Sequence, residues 1–364
     1  MSILIFLLVL FVLILVHEWG HYITAKKTGM RVDEFAIGFP PKLYSIKKGE
    51  TEYSFNALPI GGFVRIFGES LEGVDETDAD KARAFTARPL WAQAVVLIAG
   101  VTMNVILAWF LFVVTFMIGV PTAVEESNAS PDAVLFASGV LPEGPLANKL
   151  PSGSEILSLK SGENTLTKPT PTSFSEFIQT NQSQEIEITY SKEETENIVT
   201  VMPVAGLIPD NPARMAVGVS LALVEEESLS FFSALKEASL ATYKGLISIT
   251  VGLTGLLIET FKGTADFSQV AGPIGIVGMV GEAANFGLTS LLTFMAMISL
   301  NLAVINMLPI PALDGGRLLF VAYEAVTGKA VNPIWSGRLN LIGFAFLMLL
   351  MIAVTYNDII RLFA

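Results

Sequence analysis

Apolar residues in this chain come in long unbroken blocks, not in the alternation of a soluble sheet or the stripe of a surface helix. Residues 2–25, 94–120, 287–308 and 339–356 are each apolar enough to cross a bilayer, which takes about 20 residues. A fifth block, 231–263, is interrupted by Glu237, Lys244, Glu259 and Lys262, and its charge-free stretch, 245–258, is only 14 residues. It reads as a membrane-associated helix on the outer face and not as a span. Between the first two blocks the pattern shortens to strand-length runs at 31–37, 42–46, 52–57 and 63–67. Gly38-Phe39-Pro40-Pro41, Lys48-Gly49 and Pro59-Ile60-Gly61-Gly62 separate them as turns. These runs are apolar for a loop and predict a small sheet that dips into the membrane interface. Residues 69–82 follow as an acidic loop.

Residues 122–206 carry the pattern of a small soluble domain. Strand runs fall at 133–136, 155–159, 185–190 and 198–204, with a helix near 174–180, a Gly144-Pro145-Leu146-Ala147 turn and a Thr/Pro-rich loop at 165–172. The expected architecture is an α-helical membrane protein with four transmembrane helices. A membrane-associated β-sheet follows the first span, and one extracytoplasmic α/β domain is inserted. Its parts are 1–121 as N-terminal membrane core, 122–206 as inserted domain, 207–264 as an outer strand and helix, and 265–364 as C-terminal membrane core.

Composition sharpens this picture. The chain has 364 residues, 52% hydrophobic and 15% charged, outside the range of ordinary soluble domains. It has no cysteine, which excludes disulfides, thiolate ligands and a cysteine nucleophile. The net charge of -12, with no basic stripe, excludes a nucleic-acid partner. Lys26, Lys27, Arg31, Arg83 and Arg88 flank one loop, and Arg317, Lys329 and Arg338 flank another. By the positive-inside rule 26–93 and 309–338 are cytoplasmic and both termini lie outside. Residues 121–285 hold 20 acidic and 8 basic residues, a solvated outer face. The first block has no basic leader or small-x-small site, so it is expected to be retained.

The chain's two histidines both fall in His17-Glu18-Trp19-Gly20-His21, at the end of the first apolar block. This is an H-E-x-x-H pattern. Residues i and i+4 share a helix face, so both imidazoles can bind one ion, and Glu18 can reach a metal-bound water. A catalytic zinc needs a third ligand, and with no third histidine it must be a carboxylate. Asp314 is the candidate, in Asn306-Met307-Leu308-Pro309-Ile310-Pro311-Ala312-Leu313-Asp314-Gly315-Gly316, where Pro and Gly break the third span. Broken helices occur at membrane depth where they are buried or line a wet cavity. Asn306 is a candidate hydrogen-bond donor to substrate, and Asn301 fits substrate contact or helix packing alike. Parity adds a constraint. A span over 231–263 would carry Asp314 to the face opposite the histidines, and three ligands around 2 Å from one ion cannot straddle a bilayer.

Together, H-E-x-x-H in a first span and N-x-x-P-x-P-x-L-D-G in a later one resemble the site-2 protease family of intramembrane zinc metalloproteases, of the bacterial RseP type. Gly100-Val101-Thr102-Met103-Asn104, Phe35-Ala36-Ile37-Gly38-Phe39, 56–64 and Gly272-Pro273-Ile274-Gly275-Ile276 also resemble family segments. The resemblance implies Zn2+ bound by His17, His21 and Asp314, with Glu18 as catalytic base. It implies substrate contacts from Asn306, with Pro309 and Pro311 beside it, and from strands within 31–68. It also implies that 122–206 is a PDZ-like filter, that the protein sits in the bacterial inner membrane, and that substrates are membrane proteins already shortened by another protease, such as anti-sigma factors or remnant signal peptides. Gly153-Ser154-Glu155-Ile156 replaces the usual Gly-Asp-x-Ile of PDZ domains, and one such domain stands where many RseP-type chains carry two. Competing readings are a membrane-anchored zinc peptidase cutting soluble or loop substrates, and a zinc-binding scaffold or transporter.

Overall fold

The computed structural model describes residues 2–69, 78–192, 195–207, 213–264, 271–329 and 331–363; most of the acidic loop, residues 70–77, lies outside the described residues. The chain divides into two compact units, Met1–Thr115 with Ser230–Ala364, and Phe116–Leu229.

The first unit begins with α1 (Ser2–Lys27), β1 (Val32–Lys48), β2 (Thr51–Ile66), the short α2 (Asp78–Lys81) and α3 (Leu90–Ile118). On α1, Val9, Leu13, His21 and Ala25 are buried. With His17 they form one row at every fourth residue. On α3 a matching row is buried: Ala92, Val96, Gly100, Asn104, Ala108 and Phe112. Rows of this spacing make the ridges and grooves by which helices cross. The crossing is closest where side chains are smallest, since a Cβ on Gly20 would collide with the Ala99 carbonyl. Membrane helices use small residues this way, because lipid gives no hydrophobic drive to associate.

β1 and β2 each fold back, so two long strands make a four-rowed sheet matching the four expected runs. Residues 34–37 are central: Phe35 pairs with Val64 on one side and Tyr53 on the other, and Ile37 with Gly62 and Phe55. The outer rows are 42–48, paired back to 51–56, and 62–66. Lys26 and Arg83 both bond Glu50 in the turn between β1 and β2, fixing the sheet to the end of α1.

The second unit holds β3 (Val120–Val124), β4 (Val134–Val140), β5 (Ser154–Ser161), β6 (Asn164–Thr167), α4 (Pro171–Thr180), β7 (Ile186–Lys192), β8 (Thr195–Val201) and β9 (Val219–Glu227). Its sheet runs β3-β9-β4-β5-β7-β8, with β6 beside β5. The core is built of Leu135, Leu146, Ile156, Leu159, Phe174, Ile178, Ile186, Ile188 and Leu223 among others. The unit is longer than the expected 122–206 because β9, from beyond that range, pairs with β3 and with β4. The Thr/Pro-rich loop ends in a helix start: Thr170 caps α4 and Pro171 opens it.

The first unit then resumes with α5 (Phe231–Lys262), α6 (Pro273–Asn285), α7 (Leu288–Asn306), α8 (Asp314–Thr327) and α9 (Pro333–Phe363). Among the described residues five helices are long and apolar enough to cross a membrane: α1, α3, α5, α7 and α9. Four were expected; α5 is the addition. Its Ser239 accepts the Trp109 indole N–H, and its Gly245 lies against Leu300. Leu300 neighbours Ser299, whose hydroxyl donates to the Asn104 carbonyl at 2.8 Å. α5 therefore runs back along α3 from its Ile118 end toward Asn104. α6 packs against α1, with Gly281 against Ser2, so it points toward the Ser2 end. The Asp358 carboxylate of α9 receives the N–H of Gly272 and Gly275, at 3.0 and 2.9 Å, at the start of α6. α7 then leaves from that same end and delivers the turn before α8 to the histidines.

Candidate metal centre

Three donor atoms converge where α1, α3 and the start of α8 meet. His17 Nε2 and His21 Nε2 are 3.2 Å apart, and Asp314 Oδ2 lies 3.2 Å from the first and 3.3 Å from the second. A tetrahedral ion with ligands at about 2.0–2.1 Å needs donors about 3.3 Å apart, so the triangle has the size of a zinc site. The tautomers agree. His21 donates Nδ1–H to the Val96 carbonyl at 2.8 Å, which leaves Nε2 a lone pair directed at the triangle. Asp314 Oδ2 is buried without a hydrogen-bond donor. Lone pairs this close repel unless a cation sits among them, so the residues fit a divalent metal.

His17 Nδ1 lies 3.4 Å from the side-chain amide of Asn104, and the buried Asn104 Oδ1 has no partner. A half-turn of that amide satisfies both, with Oδ1 accepting Nδ1–H of His17. The role of Gly100 is steric: a Cβ there would run into both imidazole rings. Asp314 is the first residue of α8, after a turn closed by Leu313 N–H to the Ile310 carbonyl at 3.1 Å. Gly315 and Gly316 back onto the carbonyls of Met307, Leu308 and Ile310 with no room for a Cβ. The two glycines are what let the helix start so close to its own turn.

The triangle opens into a cleft of about 950 Å³. Glu18 lines it together with the metal donors, as do Phe63, Val64 and Ile66 of the outer row of β2. Beyond them the wall is mixed, with polar Glu69, Arg317, Asn332, Ser336 and Asn340 among apolar residues such as Phe85, Leu97 and Phe320. Arg317 pairs with Glu69. Of the residues expected at the site, His17, Glu18, His21 and Asp314 come together. Asn306, Pro309 and Pro311 are not among the lining residues: Asn306 closes α7, and the prolines lie in the turn before Asp314. Asn104 and Gly100 had been noted only as a sequence pattern. Nothing in the sequence singled out Asn340 and Ser336, which face the cleft from the start of α9.

Two imidazoles, a carboxylate donor and a neighbouring free carboxylate in one cleft define a metal-dependent hydrolase. Comparison with known proteins narrows the class: residues 5–350 match Peptidase family M50. A chain of Clostridium acetobutylicum is 35% identical over 353 residues, 96% of this chain and 94% of its own. Zinc metalloprotease RasP of Shouchella clausii is 31% identical over 440 aligned residues, covering 100% of both chains. Regulator of sigma-W protease RasP of Bacillus subtilis is 29% identical over 434, covering 98% of both. The chain belongs to peptidase family M50, the site-2 protease family, and is a zinc metalloprotease. That sets aside the scaffold and transporter readings.

Proposed function

We propose that this zinc metalloprotease cuts peptide bonds in or next to the transmembrane segments of membrane proteins, with His17, His21 and Asp314 holding the zinc and Glu18 as general base. The carrying observation is the donor triangle with Glu18 in one cleft, beside the outer row of a sheet: His17, Glu18 and His21 sit on a helix of membrane-spanning length, and Asp314 opens the short α8 that follows another. A bound zinc supplies Lewis acidity and lowers the pKa of water toward about 7. Glu18 takes the proton from the attacking water and returns it to the leaving amine. His21, held by the Val96 carbonyl, and His17, beside Asn104, would hold the ion through their Nε2 atoms. Substrate in a helix hides its carbonyls. Residues 62–66 are paired on one side by 32–37, and adding an extended substrate strand along the other side exposes the scissile carbonyl. Asn306 from the end of α7, and Pro309 and Pro311 from the turn, shape the approach of the substrate and the setting of Asp314.

The substrates we infer are membrane proteins already shortened by another protease, anti-sigma factors being one such kind. The 122–206 segment, within the second unit, acts as a PDZ-like filter for them. The membrane is the bacterial inner membrane, with both termini outside. In this topology α1, α3, α7 and α9 cross it, while α5 enters beside α3 and α7 and α6 returns toward the Ser2 end. The return answers the parity problem, because α5 and α6 together restore the side from which α7 starts. Cysteines introduced at Ser228 and Lys329 test it, since the chain has none of its own. An impermeant reagent on intact cells should label 228 and spare 329. Labelling at 329 would overturn the orientation.

The activity is tested with purified wild type and Glu18→Gln on a membrane-spanning reporter and on a soluble peptide of the same cleavage sequence. Wild type should cut the reporter and Glu18→Gln should not. Preference for the soluble peptide would favour the membrane-anchored peptidase reading.

A further inference from the structure

The third donor of the triangle is carried by a turn, and the turn contains a residue in an unfavoured conformation. Ala312, two positions before Asp314, sits at φ +80°, a region that residues with a Cβ avoid. Something must hold it there. Its N–H is donated to Oδ1 of Asn340, at 3.2 Å, on α9. One turn further along α9, Gly343 lies against the Pro311 carbonyl with no space for a Cβ. The start of α9 is therefore pressed onto the turn at two successive residues, Pro311 and Ala312. Asn340 also lines the cleft with the metal donors. The bonds within the turn, Leu313 N–H to the Ile310 carbonyl and Arg317 N–H to the Leu313 carbonyl, give it shape but tie it to nothing else. Asn340 ties it to a second helix.

We propose that Asn340 is a positioning residue for the metal centre: by holding the Ala312 N–H it keeps that residue left-handed and so fixes the Asp314 carboxylate over His17 and His21. The inference rests on the reading of those three residues as the zinc ligands. Without the acceptor, Ala312 relaxes toward negative φ and the peptide leading into Leu313 turns, carrying Asp314 away from the imidazoles. Partners outside the ligand shell commonly change metal affinity about 10–100-fold when removed. Asn340 touches neither metal nor substrate in this role.

The test uses the full-length protein in detergent. Zinc affinity is read by competition with a chromogenic chelator, and hydrogen exchange is followed over residues 308–314. Asn340→Leu keeps the size and removes the acceptor; it should weaken zinc binding about 10–100-fold and speed exchange in the turn. Asn340→Asp keeps an acceptor oxygen and should stay near wild type in both readouts. Adding Ala312→Gly to Asn340→Leu should recover most of the affinity, because glycine takes positive φ without strain. Wild-type affinity and exchange in Asn340→Leu would overturn the proposal. So would a loss that Ala312→Gly leaves untouched, which would mark a general packing defect of α9. Asp314→Asn is measured alongside. Wild-type affinity there would refute the ligand set, while exchange in Asn340→Leu would still judge the support of the turn.

Discussion

The two compact units pack differently, although the first also buries a cluster of large side chains that includes Met30, Val32, Ile66, Phe85 and Leu97. The second has a dry core of bulky side chains, with Leu135, Leu146, Ile156, Leu159, Ile186 and Ile188 all nearly inaccessible. In the first, helices approach through Gly20, Ala99, Gly100 and Gly245 while large aliphatics such as Ile3, Leu4 and Leu8 face outward. Among the described residues, the candidate metal donors and Glu18 all lie in the first unit. Small residues bring backbones and polar side chains within reach of each other, and that is what places two imidazoles, an asparagine and a carbonyl around one point. The core of the second unit is mostly apolar, and the polar side chains buried in that unit, Ser154, Ser161 and Asn181, bond to nearby backbone carbonyls. One row on α1 shows the link: Val9, Leu13, His21 and Ala25 are buried with the same spacing that puts the candidate donors His17 and His21 on one face.

The largest effect expected from this contrast is at Glu18. Glu18→Gln keeps size and packing, so zinc content should match wild type while cleavage falls about 10²–10⁴-fold. Metal analysis and reporter cleavage on the same preparation check it; loss of zinc would make Glu18 a ligand instead. Next is Gly100→Ala. The added methyl meets both imidazoles, and we expect zinc affinity to drop about 10–100-fold although the residue touches no substrate. Unchanged affinity would break the claim that close approach makes the site.

Leu159→Ala probes the other unit. Cavity creation there should destabilise it by about 2–5 kcal/mol and leave zinc content as in wild type. Loss of zinc in this variant would mean that the units do not keep separate accounts of stability and chemistry. The smallest effect is at Glu50. Arg83 and Lys26 hold its carboxyl down to about 2, from an ordinary 4.5. A lowered carboxylate stabilises the fold above its unfolded pKa and loses that contribution as pH falls through the folded one. The melting difference between wild type and Glu50→Gln should be constant above about pH 4.5 and shrink as pH drops toward 2. A difference that does not change with pH would show the contact to be steric.

The sequence made the chemistry legible because histidine and carboxylate have few reasons to occur on a membrane helix. His17, Glu18, His21 and Asp314 needed only spacing and donor types, and the four rows of the β1–β2 sheet followed from turns and run lengths. The missing parts are long-range. β3 read as the end of the second apolar block, since Val120 continues it, and β9 lies far along the chain from the β3 and β4 it joins. α6 does not stand out from the apolar sequence around it, because its packing against α1 joins segments far apart in the chain. Asn104 carried a pattern but no role, because the partner that gives it one is 87 residues away. Asn340 left no local trace, as its acceptor function exists only against a turn on another helix.

Zinc K-edge X-ray absorption on purified wild type and Asp314→Asn tests the central claim most directly. Wild type should show two imidazoles and oxygen donors at about 2.0–2.2 Å, with zinc weakened or lost in Asp314→Asn. A single imidazole in wild type, or an unchanged spectrum at full occupancy in Asp314→Asn, would contradict it.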